Sequence, residues 1–297
     1  MTAALREDAP AKLNLCLILG RARPSDGRHE LVTVFQPVTL ADRVRLEPAG
    51  LGVAADEVVC PEVEGDNLAA AALRAFRERT GWRAPPVRLV IEKRIPVAAG
   101  MAGGSADAAA ALRLAARASG LADDALLLDI AARLGADVPA QVRPARYLAT
   151  GAGERLEAVP QPPPFGVLVL RCSAALSTAA VFAEADRQRL GRDAGELAQR
   201  TEAVRAAVAA GPALLPPELA VNDLEPAARA LCPPVAGALD AARAAGARQA
   251  LLCGSGPTVL GLFADVASAR AAAVALGGRE PRPLAVAPWP ALAEAPA

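Results

Sequence analysis

Aromatic residues make up only 3% of this 297-residue chain, too few for the base-stacking surfaces that read single-stranded nucleic acid. Charge does not replace them. The 32 Lys and Arg residues are offset by 32 Asp and Glu, so neither a nucleic acid nor an anionic membrane surface is an expected partner. No run of about 18 apolar residues escapes a charge or a helix breaker, so no membrane-spanning helix is expected. The opening residues MTAALREDAPAK mix both signs of charge and do not read as a secretory leader. Cys16, Cys60, Cys172, Cys232 and Cys253 are scattered without metal-binding spacing and read as reduced thiols of a cytoplasmic protein. Lysine is scarce as well: among the 32 basic side chains, only Lys12 and Lys93 are lysines. Where arginine serves nearly everywhere, a surviving lysine suggests a place that the wider guanidinium does not fit.

The apolar pattern that remains is α+β. Residues 9–20 alternate as a strand, with Leu13, Leu15, Leu17 and Leu19 on one face and Lys12, Asn14 and Cys16 on the other. A turn centred on Asp26-Gly27 follows, then strands at Leu31–Pro37 and Arg43–Glu47, separated at Ala41-Asp42. Residues 49–65 read as a loop or hairpin, Asn67–Thr80 as a helix stopped by Gly81, and Val87–Lys93 as a strand. A further helix, Ala122–Leu134, stops at Gly135. The prolines in residues 161–165, QPPPF, fit neither a helix nor a central strand and mark a linker. Domains are accordingly expected at 1–160 and 165–290. In the second, strands at 166–171, 248–252, 258–263 and 283–288 alternate with helices at about 177–188, 193–210, 223–231, 234–245 and 265–276. The tail after Pro290 is expected to be loose.

One stretch organises the rest: Ile91 to Leu114, IEKRIPVAAGMAGGSADAAAALRL. An apolar strand ends at Pro96, a loop of small residues carries Gly100, Gly103 and Gly104, and a helix begins near Ser105. Glycines let backbone approach a ligand closely, and a helix start turns unpaired N–H groups and a positive dipole end toward the loop. That combination binds anions, phosphate above all. A Walker A ending is absent and the glycine spacing is not that of a dinucleotide fold. The alternative is a glycine-rich turn that merely caps a helix, with Ser105 as an ordinary N-cap.

The loop resembles the phosphate-binding motif of the GHMP kinases, the superfamily of galactokinase and of homoserine, mevalonate and phosphomevalonate kinases. The resemblance implies a two-domain α+β fold, with a ribosomal protein S5 domain 2-like N-terminal domain and a ferredoxin-like C-terminal domain. It implies ATP, held along Pro96, Val97, Ala98, Ala99, Gly100, Met101, Ala102, Gly103, Gly104, Ser105 and Ala106, with Mg²⁺ carried on the phosphates and the Ser105 hydroxyl as its candidate contact. Four more segments match one branch of the superfamily in order: Ala9–Leu15, Asp26–Leu31, Leu134–Pro139 and Gly254–Thr258, with Asn222–Glu225 as a supporting match. That branch phosphorylates a sugar-alcohol attached to cytidine diphosphate.

Phosphoryl transfer to an alcohol needs a positioned hydroxyl, charge stabilisation on the phosphates and a carboxylate to take the proton. By the resemblance, Asp137 and Lys12 serve the acceptor hydroxyl; by position alone they are a loop aspartate and a strand lysine. Asn14, Arg28, His29 and Phe182 fall on substrate-binding positions. His29 is the chain's only histidine and matches the residue that binds the cytidine end. Phe182 matches an aromatic that stacks on cytosine, or else is helix core. Arg28 stands where the family has tyrosine, and Ala140-Gln141 where it often has aromatics. His29 and Phe182 fall in different expected domains, so a cleft would be needed to bring them to one base.

Overall fold

The computed structural model describes residues 4–121 and 123–290. In chain order its elements are β1 (Leu5–Ala22), β2 (His29–Pro48), β3 (Glu57–Val59), α1 (Leu68–Thr80), β4 (Val87–Glu92), α2 (Gly103–Ser119), α3 (Asp124–Leu134), α4 (Val138–Val142), β5 (Tyr147–Thr150) and β6 (Arg155–Ala158). Then come β7 (Gly166–Leu170), α5 (Thr178–Arg187), α6 (Ala194–Ala209), α7 (Glu225–Leu231), α8 (Pro234–Ala244), β8 (Gln249–Leu252), β9 (Val259–Phe263), α9 (Val266–Ala275) and β10 (Leu284–Val286). The tail after Pro290 lies outside the described residues. Two compact units are each assembled from several stretches of chain. The first takes residues up to Ala11, Leu40–Val97 and Ala102–Pro144; the second takes Lys12–Thr39, Ala98–Met101 and Ala145 onward.

In the first unit the latter part of β2 pairs antiparallel with β4, from Arg43 opposite Glu92 to Pro48 opposite Val87, and β3 runs parallel to β4. The two expected strands at 31–37 and 43–47 are one strand, β2. The polar Asp42 does not break it, because its carboxylate is buried and accepts the backbone N–H groups of Arg94 at 2.5 Å and Ile95 at 2.7 Å. Helix α1 is bounded as its sequence demands: the Asn67 side chain accepts from Ala69 N, and Gly81 closes the other end at φ 68°. Helix α2 is buried on almost every side, through Ala106, Ala108–Ala111, Leu112, Leu114, Ala115 and Ala116. Alanines there let α1 and α4 pack closely against it, at no side-chain entropy cost.

The second unit holds an antiparallel sheet in the order β10-β7-β9-β8. Numbered from β7, that order is four-one-three-two, and α9 lies between β9 and β10 in sequence: a ferredoxin-like arrangement. Strands β7 and β9 are buried at every residue. Leu168, Leu170, Val181, Val235, Leu239 and Leu252 form the core with Leu17 and Leu19 from β1. The first part of β2 pairs with β5, and β5 with β6, around a turn with Gly151 at φ 72° and Gly153 at φ 102°. This four-residue hairpin is too short to register as a period in the sequence. Residues 159–165 have no regular structure. Among the described residues no helix is long and apolar enough to cross a membrane.

Two glycines test this packing in opposite directions. A Cβ on Gly166 would stand 2.7 Å from Ala269 Cβ and closer still to the Asp265 carbonyl oxygen, whereas a Cβ on Gly237, inside α8, meets nothing. Gly166→Ala is expected to destabilise by about 1–3 kcal/mol through overpacking. Gly237→Ala is expected to stabilise by about 0.5–1 kcal/mol through helix propensity and reduced unfolded-state entropy. Urea unfolding midpoints at constant slope check both.

Candidate active site

The loop between β4 and α2 holds three residues in left-handed conformation: Ala98 at φ 56°, Gly100 at φ 71° and Ala102 at φ 56°. For alanine that region costs roughly 1–2 kcal/mol, so the loop is held in shape by its surroundings. Helix α2 begins earlier than expected. Ala102 occupies the N-cap and offers no side-chain hydrogen bond, Gly103 and Gly104 are already helical, and Ser105 is the third helical residue. Ser105 is therefore not the cap, because the left-handed Ala102 turns the chain into the helix without a side-chain acceptor. By helix geometry the N–H groups of Gly103, Gly104 and Ser105 have no acceptor within the helix, which suits an anion at this end.

Within the second unit, separate sequence motifs meet. A Cβ on Gly100 would stand 2.8 Å from Cys253 O and 3.1 Å from Gly256 O, so the loop glycine lies directly on the Gly254–Pro257 turn. Lys12 N donates to Met101 O at 3.1 Å. The Asn222 amide donates to Leu252 O at 2.9 Å and to Gly254 O at 2.8 Å, fixing the same turn. Lys12 is buried rather than displayed on an open strand face. Its Nζ donates to Asn14 Oδ1 at 3.0 Å and sits 4.3 Å from the Phe35 ring centroid. Asn14 Nδ2 donates to Thr33 Oγ1 at 2.8 Å, and Thr33 Oγ1 donates to Cys16 O at 2.5 Å. Burial pushes the Cys16 thiol up to about 12, so it stays neutral beside this chain of bonds.

The second unit also brings His29 and Phe182 together, since it draws on residues 12–39 as well as on the later half of the chain. Their rings lie 5.1 Å apart, tilted by 43°. His29 Nε2 is 2.7 Å from Asp186 Oδ1, a pairing that orients the imidazole. Phe182 is half-buried against the core, while Asp186, four residues on, is exposed on the same helical face. Arg28 is exposed, with its guanidinium 3.4 Å from Ala152 O, to which it donates, and its N–H on Asp26.

In the first unit Asp137 precedes α4 as a half-buried residue whose carboxylate does not cap that helix. Lys93, the other lysine, is buried between two carboxylates: Nζ donates to Asp42 and, at 2.7 Å, to Asp107 Oδ2. Burial raises the Asp107 carboxyl to about 7 against the opposing pull of the Lys93 ammonium. For Lys93 itself, burial disfavours the charge, but the two carboxylates outweigh it and hold its pKa above the usual value. Sequence reasoning passed over Thr33, Phe35, Asp42 and Asp186. Only Asp186 had a local signal, its position one turn after Phe182.

The loop glycines are not equivalent. A Cβ on Gly103 would press on Ile95 at 3.1 Å and Lys93 Nζ at 3.2 Å, while one on Gly104 would enter open space. Gly104→Val is therefore the cleaner test of an anion site. It is expected to fold normally and lose Mg-ATP affinity tenfold or more in calorimetric titration; unchanged affinity would place the phosphates elsewhere.

Comparison with known proteins is consistent along the chain. The GHMP kinases N terminal domain matches residues 67–144 and the GHMP kinases C terminal domain matches 179–280. A Streptomyces coelicolor protein named 4-diphosphocytidyl-2-C-methyl-D-erythritol kinase is 45% identical over 273 residues, covering 88% of each chain. A crystal structure of 4-(cytidine 5'-diphospho)-2C-methyl-D-erythritol kinase superposes with a TM-score of 0.78 at 34% identity, covering 95% of this chain and 98% of that one. Homoserine kinase from Cytophaga hutchinsonii, at 17% identity and a TM-score of 0.70 over 97% of this chain and 95% of that one, shares the fold.

Proposed function

The chain belongs to the 4-diphosphocytidyl-2-C-methyl-D-erythritol kinases of the GHMP superfamily, and on that footing we propose that it phosphorylates the 2-hydroxyl of 4-diphosphocytidyl-2-C-methyl-D-erythritol with ATP, in non-mevalonate isoprenoid precursor synthesis. The observation that carries the choice of acceptor is the His29–Phe182 pair. It offers a pyrimidine one aromatic face and one polar edge. Asp186 holds the imidazole in place for that task. Arg28 lies beside His29 in sequence, in the tyrosine position, where a guanidinium plane is able to stack on a base.

In the proposed reaction Asp137 takes the proton of the 2-hydroxyl as its oxygen bonds to the γ-phosphorus, and the bond to the β-phosphate oxygen breaks to release ADP. Lys12 supplies a compact positive charge to that oxygen, and Asn14 borders the acceptor while holding Lys12 by its Oδ1. Residues Pro96 to Ala106 cradle the phosphates, with the backbone N–H groups of Gly103, Gly104 and Ser105 at the start of α2 as donors. Among the described residues no three His, Cys, Asp or Glu side chains converge on a metal site. The hard hydroxyl oxygen of Ser105 suits a Mg²⁺ that arrives on the phosphates instead. Bound there, the ion would neutralise charge across the β- and γ-phosphates. The reading keeps GHMP kinase domains at 1–160 and 165–290 and places the reaction in the cytoplasm.

A coupled assay for ADP tests the reading. Turnover is expected with the diphosphocytidyl alcohol and not with L-homoserine; the reverse would overturn it. Asp137→Asn is expected to lower kcat about a hundred- to ten-thousandfold with little change in KM, and an enzyme within threefold of wild type would remove the base from the mechanism. Lys12→Arg is expected to be damaging despite its kept charge.

Base recognition is tested separately. Phe182→Ala is expected to raise the KM for the cytidine substrate roughly five- to a hundredfold, about 1–3 kcal/mol of lost stacking, and to leave that of ATP unchanged. His29→Ala is expected to act on the same parameter. Arg28→Ala shows whether the guanidinium stacks: if its KM matches wild type, Arg28 does not. Normal KM values in both the Phe182 and His29 variants would mean that the acceptor is not read through its base.

A further inference from the structure

We infer that Lys93 is a positioning residue for the phosphate loop, a strut that sets where β4 ends and where α2 begins; the inference rests on the loop being the ATP site. Asp42 grips the exit of β4 three times. One carboxylate oxygen takes the N–H groups of both Arg94 and Ile95, and the other takes the Lys93 ammonium. The ammonium reaches across to Asp107 Oδ2 on α2, two residues past Ser105. Carboxylate, ammonium and carboxylate thus tie together the two ends of the loop inside the first unit.

Burial gives the tie its strength. The side chain of Lys93 is 6% exposed and those of Asp42 and Asp107 are 0% and 4%, so solvent does not screen the interaction, and breaking it leaves an uncompensated buried charge. Space fixes the residue type. Gly103 would press a Cβ to within 3.2 Å of Lys93 Nζ, so the first helical residue rests almost directly on the ammonium. A guanidinium is wider and planar, and it would displace either Gly103 or the Asp107 turn. A chain that uses arginine almost everywhere else keeps a lysine here for this reason. The strut also accounts for the persistence of Ala102 at φ 56°, an unfavourable conformation at the junction that the strut closes.

The test is Lys93→Arg, which keeps the charge, measured beside Asp107→Asn, which keeps an oxygen acceptor for the ammonium. Calorimetric titration with Mg-ATP is expected to show Lys93→Arg weakened tenfold or more and Asp107→Asn within threefold of wild type. Steady-state KM for the cytidine substrate is expected to stay within twofold in both. A Lys93→Arg protein with wild-type Mg-ATP affinity overturns the inference, as does an equal loss in both KM values, which would signal general damage. If Lys93→Arg does not fold, Lys93→Met/Asp107→Leu, in which Asp42 keeps the N–H groups of Arg94 and Ile95, replaces it with the same expected loss. Failure of that variant to fold as well would show a stability role and overturn the inference equally. Wild-type protein that fails to bind Mg-ATP would sink the assignment of the loop itself, separating the two failures.

Discussion

A lysine ammonium on a strand buried on both faces has no water to fall back on, and the proposed acceptor chemistry depends on how the protein answers that constraint. Strand β1 is covered at Leu13, Leu15, Leu17 and Leu19 on one side and at Lys12, Asn14 and Cys16 on the other. Leaving a buried polar group unpaired costs on the order of 1–3 kcal/mol, and more for a charge. The answer is a relay: Lys12 to Asn14, Asn14 to Thr33, Thr33 to the Cys16 carbonyl, with Phe35 beneath the ammonium. Each partner leaves the next with little freedom, which is how a flexible four-carbon side chain becomes a fixed point charge.

The first unit solves the same problem differently. Lys93 meets carboxylates instead of amides, and the gain goes into backbone geometry, because Asp42 also holds Arg94 and Ile95. In the proposed reading one lysine faces the chemistry and the other holds a loop. At Lys93 the first helical residue, Gly103, closes in on Nζ, which leaves little room for a wider guanidinium.

Much of the architecture was legible because it rests on local signals. Asn67 and Gly81 bound α1 as their side chain and φ require, and the Asp26-Gly27 turn and the strands on either side of residues 253–257 follow from short-range pattern. What escaped the sequence depended on distant partners. Asp42 looks like a break between strands until Arg94 and Ile95 arrive to satisfy it. Ser105 looks like a helix cap because nothing in the sequence shows that Ala102 is left-handed. The motif residues Lys12, Asn14 and Gly254 were readable one by one through resemblance, but not the contact of Gly100 with the Cys253 and Gly256 carbonyls. Asp186 lies one turn after Phe182, but that position gains meaning only when His29 stands against it.

The order in which the chain is made has a consequence in the pairing of β1. Leu17 donates to Val221 O, and Leu19 N donates to Asp223 across 204 residues. The apolar side chains of Leu17 and Leu19 finish in a core built largely from residues beyond 168. During synthesis, then, β1 pairs with β2 but must wait for a segment made 204 residues later before the backbone at Leu19 is satisfied. With synthesis at about 5–20 residues per second, that interval is on the order of ten seconds or more. Until that segment arrives, one edge of this leucine-rich strand stays open, and an open edge is a template for wrong pairing.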